Sequence, residues 1–344
     1  MAEIVFGVGC SHSPLLATQP EDWDLRANDD RRNPSHPFRG KTYTFSELEA
    51  LRKDENLSSQ IRIEVRRERD ARNQRQLALL SEKIKSANLD VLVVFGDDQK
   101  EVLLSDNMPA FMVFSGEQVP FKPTSRDRLA AMSEGVRIAN WARVPDREMK
   151  LPGAPELAMQ VVRHAMADGF DVSVSDRFLP RQGAETGIGH AFGFYYHRLM
   201  DDFREFPNLS TLPIFINTFY PPNQPSAKRV LEFGRSVGRA IRAWDRRART
   251  GIAASGGFSH FVIDEALDRQ ILTAMQLRDV DSLLAIPESR YQSGTSEIKN
   301  WIAAMGALES ANLKFELVDY VPCYRSLAGT GNAMVFGVWE AAAA

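Results

Sequence analysis

Residues 91–101 read VLVVFGDDQKE, an unbroken apolar run that ends in two adjacent aspartates. A strand with one wet face alternates apolar and polar residues. A continuous run instead implies cover on both faces, as in a parallel sheet between helices. Similar segments recur on either side: EIVFGVG (3–9), AFMVFS (110–115), DVSVS (171–175), LPIFINTF (212–219), GIAAS (251–255), FELVDYV (315–321) and AMVFGVW (333–339). Helical patterns fall between them near 57–87, 125–142, 154–168, 191–204, 226–247, 263–286 and 296–310. With no repeat period and no linker-like break, the alternation predicts one α/β domain over 1–340, with a mostly parallel central sheet covered by helices. Residues 18–45 differ in texture, and their prolines, Gly40 and the polar run at 28–34 predict an irregular, lid-like insertion. The terminal Ala341–Ala344 is set aside as a cloning remnant.

Composition excludes several classes. The 344 residues are 44% apolar and 25% charged, with a net charge of -3, ordinary values for a globular protein. That charge offers no basic field for nucleic acid. No apolar stretch approaches the roughly 20 residues of a membrane helix, and the N-terminus lacks the charged region of a signal peptide. Cys10 and Cys323 make no disulfide framework, so a cytoplasmic location is expected. Symmetry statistics favour a homo-oligomer, most simply a dimer. The arginine-rich first half of the 57–87 helix reads as a solvated face.

Ligands of open α/β sheets gather outside strand ends. Four such ends carry chemistry: His12 after the first strand, Asp97-Asp98 after the second run, Tyr220-Pro221-Pro222-Asn223 after LPIFINTF, and GGFSH (256–260) after GIAAS. Of the six histidines, His164 and His197 sit in helical patterns and read as flanking or packing residues, and His36 lies in the insertion. His12 and His260 stand in small-residue turns, where imidazole serves as metal ligand or proton carrier. Glu297 falls in the first turn of a helix, and the helix dipole alone would account for it, at about 0.3–1 kcal/mol.

Six stretches give these residues a common context: VGCSHSPLL (8–16), VLVVFGDD (91–98), GIGHAFGF (187–194), INTFYPPNQPSAKRVLEFGRSV (216–237), SGGFSH (255–260) and SGTSEIKNWIAAMGAL (293–308). In this order they resemble the class III extradiol ring-cleaving dioxygenases, typified by the catalytic subunit of protocatechuate 4,5-dioxygenase. The resemblance implies iron(II) held by two histidines and a glutamate, a facial arrangement with open positions. His12 matches the first histidine and Glu297 the glutamate. His260 matches the acid/base histidine, and His190 a second histidine near the substrate. The substrate would be a catechol opened beside its diol by O₂, by analogy a lignin-derived acid such as gallate, methylgallate or protocatechuate.

The chain departs from the family at one ligand. Where the pattern has aspartate then histidine, a gap-free alignment places Asp97 and Asp98. Asp98 is therefore the expected metal ligand; Gln99 or His36 after a local shift, an altered metal site, and a pair of aspartates that only caps a surface turn are the other readings. Two carboxylates would leave a ferrous site neutral and favour a monoanionic catecholate. Tyr220 and Asn223 are candidates to line the ring pocket, the equal alternative being that their loop only closes a tight turn. Arg325 and Lys228 are candidates for a ring carboxylate, against the usual solvated role of such side chains. The altered ligand set also admits a hydrolase or C–C lyase using another divalent metal, or a binding protein that keeps the cleft.

Overall fold

The computed structural model describes residues 1–341; Ala342–Ala344 of the terminal alanine run lie outside the described residues. Strands in chain order are β1 (Glu3–Cys10), β2 (His36–Phe38), β3 (Lys41–Tyr43), β4 (Val91–Gly96), β5 (Phe111–Phe114), β6 (Gln118–Phe121), β7 (Met149–Pro152), β8 (Ser173–Ser175), β9 (Ser210–Ile216), β10 (Arg249–Ser255), β11 (His260–Val262), β12 (Lys314–Tyr324) and β13 (Thr330–Glu340). The main sheet runs β11-β13-β1-β10-β4-β9-β5-β8, with β12 on the far side of β13. Its central strands β1, β10, β4 and β9 are parallel. The β13 end and the β5–β9 pair are antiparallel. Two apolar layers sandwich the sheet, which is why β4 is buried along its whole length.

One layer is set by the helices Ala227–Arg242 and Ile298–Leu308. Gly234 and Gly238 let the two backbones meet: a Cβ at Gly238 would lie 2.5 Å from the Ala307 carbonyl, and one at Gly234 would collide with that of Ala303. This close approach places the second helix, and Glu297 at its start, against the sheet. Trp301 then reaches β10, donating from Nε1 to the Gly256 carbonyl at 2.8 Å. Its ring occupies the space that a side chain at position 9 would need, which accounts for Gly9.

The insertion is more regular than its composition predicts. It holds a helix, Trp23–Arg32, and the hairpin β2–β3. Trp23 and Ala27 bury one side of that helix. The anchor is Asp30, which accepts from Arg325 Nε at 2.6 Å and Nη2 at 2.9 Å, while Arg325 Nη1 donates to Asn332 at 2.7 Å. Arg325 is thus committed to structure rather than to a ring carboxylate, and Lys228 is exposed beside Glu232. His36 is buried in the hairpin, its Nε2 on the Asp30 carbonyl. The 57–87 helix is also less solvated than expected. Arg66 and Arg69 are buried, and Arg66 pairs with Asp24 of the insertion.

Other boundaries shift for local reasons. The 125–142 helix breaks into Arg126–Ala131 and Glu134–Arg137, each started by a serine. The 191–204 helix is regular only over His190–Phe194, widens over Tyr195–Leu199, and stops where Asp201 to Phe203 take positive φ. No described helix is long and apolar enough to cross a membrane, and Cys10 and Cys323 are buried free thiols.

Burial would raise the Asp30 carboxyl, but Arg325 outweighs it and holds the group below its usual range. Its stabilisation is therefore present above about pH 4 and is lost as pH falls through the depressed value. Removing one partner of a buried pair strands the other charge. Asp30→Ala is expected to cost about 3–5 kcal/mol in urea unfolding at pH 7; a loss under about 1 kcal/mol would mean that Arg325 finds water or another acceptor.

Candidate metal and active site

The carboxyl ends of β1, β4 and β10 deliver His12, Asp97 and the 256–260 turn to one place, beside a cavity of about 380 Å³. His12, His190, His260, Glu297, Glu101 and Gln99 all line it.

Hydrogen bonds fix how the imidazoles present themselves. Ser255 Oγ lies 2.5 Å from the Ala191 carbonyl, which can only accept, so the hydroxyl donates there. Its lone pair then takes the proton of His12 Nδ1 at 2.9 Å. His12 Nε2 is thereby turned toward Glu297 Oε2, 3.3 Å away. His260 is oriented the same way: Nδ1 donates to the Phe258 carbonyl at 2.7 Å, and Nε2 sits 3.2 Å from Glu297 Oε1. Glu297 also accepts from Gly257 N–H at 2.9 Å. Burial alone would lower the His260 imidazolium, but Glu297 outweighs it and raises it. The converse holds for Glu297, which burial would raise and which His260 and His12 hold well below the carboxylate range.

The two aspartates that end β4 divide their work, and here the structure departs from the gap-free alignment. Asp98 turns onto backbone: Oδ2 accepts from Glu101 and Leu103 N–H at 3.0 Å each, and Oδ1 from Val102 N–H at 3.1 Å. Both of its oxygens are used in holding that turn. Burial and Glu101 nonetheless push its carboxyl up to about 7. Asp97 is the aspartate that faces the histidines. A donor atom from each of His12, Asp97 and His190 lies within 4.8 Å of the others. Asp97 accepts from Asn300 at 3.1 Å and from Gln99 Nε2 at 3.2 Å, and among the described residues no cationic side chain bonds it. Burial and the charge of Glu297 raise its carboxyl.

Glu101 is the residue that sequence reasoning missed. Its Oε2 accepts from His190 Nδ1 at 2.6 Å and from His190 backbone N–H at 2.9 Å. The His190 ring stands edge-on to His12, with centroids 4.7 Å apart. Tyr220 and Asn223 do not line the cavity. Tyr220 reaches it at second hand, donating from its hydroxyl to Gln99 Oε1 at 3.1 Å, while Asn223 binds Asn217 and the Met108 carbonyl. His36 is held by the Asp30 carbonyl within the insertion, and His197 pairs with Asp202 at 2.8 Å. Arg26, Arg128 and Arg143 also line the cavity, and no motif marks them.

Residues 66–335 match the family model of the catalytic LigB subunit of aromatic ring-opening dioxygenase. The chain belongs to this family. Its curated relatives include 2,3-dihydroxyphenylpropionate/2,3-dihydroxicinnamic acid 1,2-dioxygenases. The protein from Azotobacter vinelandii is 24% identical over 184 residues, 54% of this chain and 48% of the relative. That from Photorhabdus laumondii subsp. laumondii is 28% identical over 185 residues, 53% and 46% of the two chains. The chain spans about half the length of these relatives. The family match begins after His12, whose place in the site therefore rests on geometry.

Burial would lower the His190 imidazolium, but the Glu101 contact outweighs it and pushes the group up to about 9. The pair therefore stabilises the metal-free protein fully below the ordinary histidine range, about pH 6.5, and this contribution is lost as pH rises through about 9. In metal-free Glu101→Gln the His190 titration followed by NMR is expected to fall by more than one pH unit. A midpoint unchanged from the parent would mean that Glu101 does not hold the proton there.

Proposed function

We propose that this chain is a metal-dependent extradiol dioxygenase that opens a catecholic ring with O₂, with iron(II) as its metal. The observation that carries the proposal is the unbalanced charge at the foot of the cavity. Asp97 and Glu297 are buried beside His12, and a buried carboxylate is costly without a cation. A hard divalent ion suits one imidazole and two carboxylates. His12, Asp97 and Glu297 would hold it, with His190 Nε2 at the margin. This ligand set keeps the count expected for Asp98 and moves it one residue back.

Bound there, the metal would act as a Lewis acid that lowers the phenolic pKa and brings catecholate and O₂ side by side. The protein's own groups do the rest. Two carboxylates against a divalent ion leave no surplus positive charge, so a monoanionic catecholate fits better than a dianion. His260 is the group for the second proton. Its Nδ1 is fixed on a carbonyl, so Nε2 can take the proton of a bound hydroxyl and return it to oxygen as the ring opens. His190, clamped through Nδ1 by Glu101, presents Nε2–H as a donor to a substrate oxygen. Gln99 is held between Tyr220 and Asp97, which orients the carboxylate. The family membership and the relatives named for ring cleavage support the same reaction class.

The test is anaerobic reconstitution with iron(II), followed by oxygen uptake over a panel of catechols. Uptake coupled to a ring-opened chromophore is expected; absence across carboxylated and neutral catechols in iron-replete protein would contradict the proposal. His260→Gln should retain the metal and lose about 10²–10⁴-fold in turnover. Metal analysis separates the aspartates: Asp97→Ala should lose stoichiometric iron, whereas Asp98→Asn should keep it and unfold at lower temperature. The reverse pattern would return the ligand role to Asp98.

A further inference from the structure

The cavity has a cationic wall that the chemistry above leaves unused. Two arginines near the site give most of their donors to protein acceptors. Arg325 uses Nε, Nη1 and Nη2 on Asp30 and Asn332, and Arg128, although it lines the cavity, gives Nη1 and Nη2 to the carbonyls of Lys100 and Gln99. Arg26 is different. Its side chain is 12% exposed, yet among the described residues it makes one hydrogen bond, from Nη1 to Asp29 at 2.7 Å. Asp29 is shared with the Ser133 hydroxyl at 2.6 Å. Arg143 binds Asn140 through Nε at 3.0 Å, and its Nη2 meets only the weak acceptor Met132 Sδ at 3.5 Å. Consecutive residues, Met132 and Ser133, thus tie the two arginines to one wall of the cavity. Gly135 backs Arg26, since a Cβ there would lie 2.8 Å from its Cδ.

We propose that Arg26 and Arg143 form an anion-binding subsite that receives a carboxylate on the substrate, so that aromatic acids are preferred over neutral catechols; the catechol half of this statement rests on the function proposed above. Of the carboxylates lining the cavity, Glu101 is bonded to His190 and Glu297 to His12 and His260; Glu101 also acts on Arg143 through its charge, but among the described residues neither forms an ion pair with Arg26 or Arg143. Nε and Nη2 of Arg26 remain for a carboxylate, the planar fork that matches two oxygens. Phe261 lies under the Arg26 guanidinium at 5.9 Å and also lines the cavity, giving an apolar surface for the ring between the two poles. Burial lowers both guanidiniums from their usual range, the direction expected of cations held partly desolvated without a full set of anionic partners.

The experiment is calorimetric titration, without oxygen, of the full chain with and without iron(II), using 3,4-dihydroxybenzoate and its methyl ester. The parent is expected to bind the acid at least tenfold more tightly than the ester. Arg26→Met and Arg143→Met should each reduce that acid-to-ester ratio about 10- to 100-fold, as for loss of a charge-assisted hydrogen bond. Arg26→Lys, which keeps the charge and loses the fork, should fall between. Equal binding of acid and ester by the parent, or a ratio that neither methionine variant changes, overturns the subsite. Circular dichroism excludes misfolded variants; if one arginine proves necessary for folding, the other and the parent ratio still decide. Acid-selective binding in a protein that consumes no oxygen with either compound would leave the subsite standing and remove the ring-cleavage reading.

Discussion

Three carboxylates that cannot be left alone organise this site. Asp97, Glu101 and Glu297 are all buried, the last two lining the cavity and Asp97 beside its histidines, where an isolated charge would be untenable. Glu101 is answered by His190, and Glu297 by His260 and His12. Among the described residues, Asp97 has only the side-chain amide N–H groups of Gln99 and Asn300. Positive charge is therefore short at Asp97, beside His12. A divalent cation there would satisfy Asp97, Glu297 and His12 together.

The fold supplies this convergence through distant parts of the chain. Parallel strands β1, β4 and β10 end side by side, so residues near 12, 97 and 255–260 become neighbours. Glu297 arrives from the opposite layer because two glycines let its helix close on the helix Ala227–Arg242. Further contacts then fix each side chain's orientation: Ser255 sets His12, the Phe258 carbonyl sets His260, and Asp98 folds the turn from which Glu101 reaches His190. Asp98 thus shapes the site without facing it.

Much of the architecture was legible because short apolar runs rich in β-branched residues and bounded by turn residues read as covered strands, as VLVVF shows, and because His12 and His260 stand where such runs stop. Asp97 and Asp98 were not separable by pattern. Which of two adjacent carboxylates turns inward depends on three backbone amides further along the same turn, and an alignment without gaps carries no such information. Glu101 lay within the quoted stretch, but its partner His190 is 89 residues away. The insertion looked irregular since its order comes from a buried ion pair with Arg325, 295 residues distant, rather than from local periodicity. Arg26 and Arg143 escaped notice for the same reason: an arginine's unused donors are visible only once its neighbours are known.

Anomalous X-ray scattering at the iron edge, on crystals soaked anaerobically with iron(II), addresses the central claim most directly. The account predicts one strong peak within bonding distance of His12 Nε2 and of carboxylate oxygens from both Asp97 and Glu297. A peak bound by Asp98 instead, or full iron uptake with nothing beside His12, would contradict it.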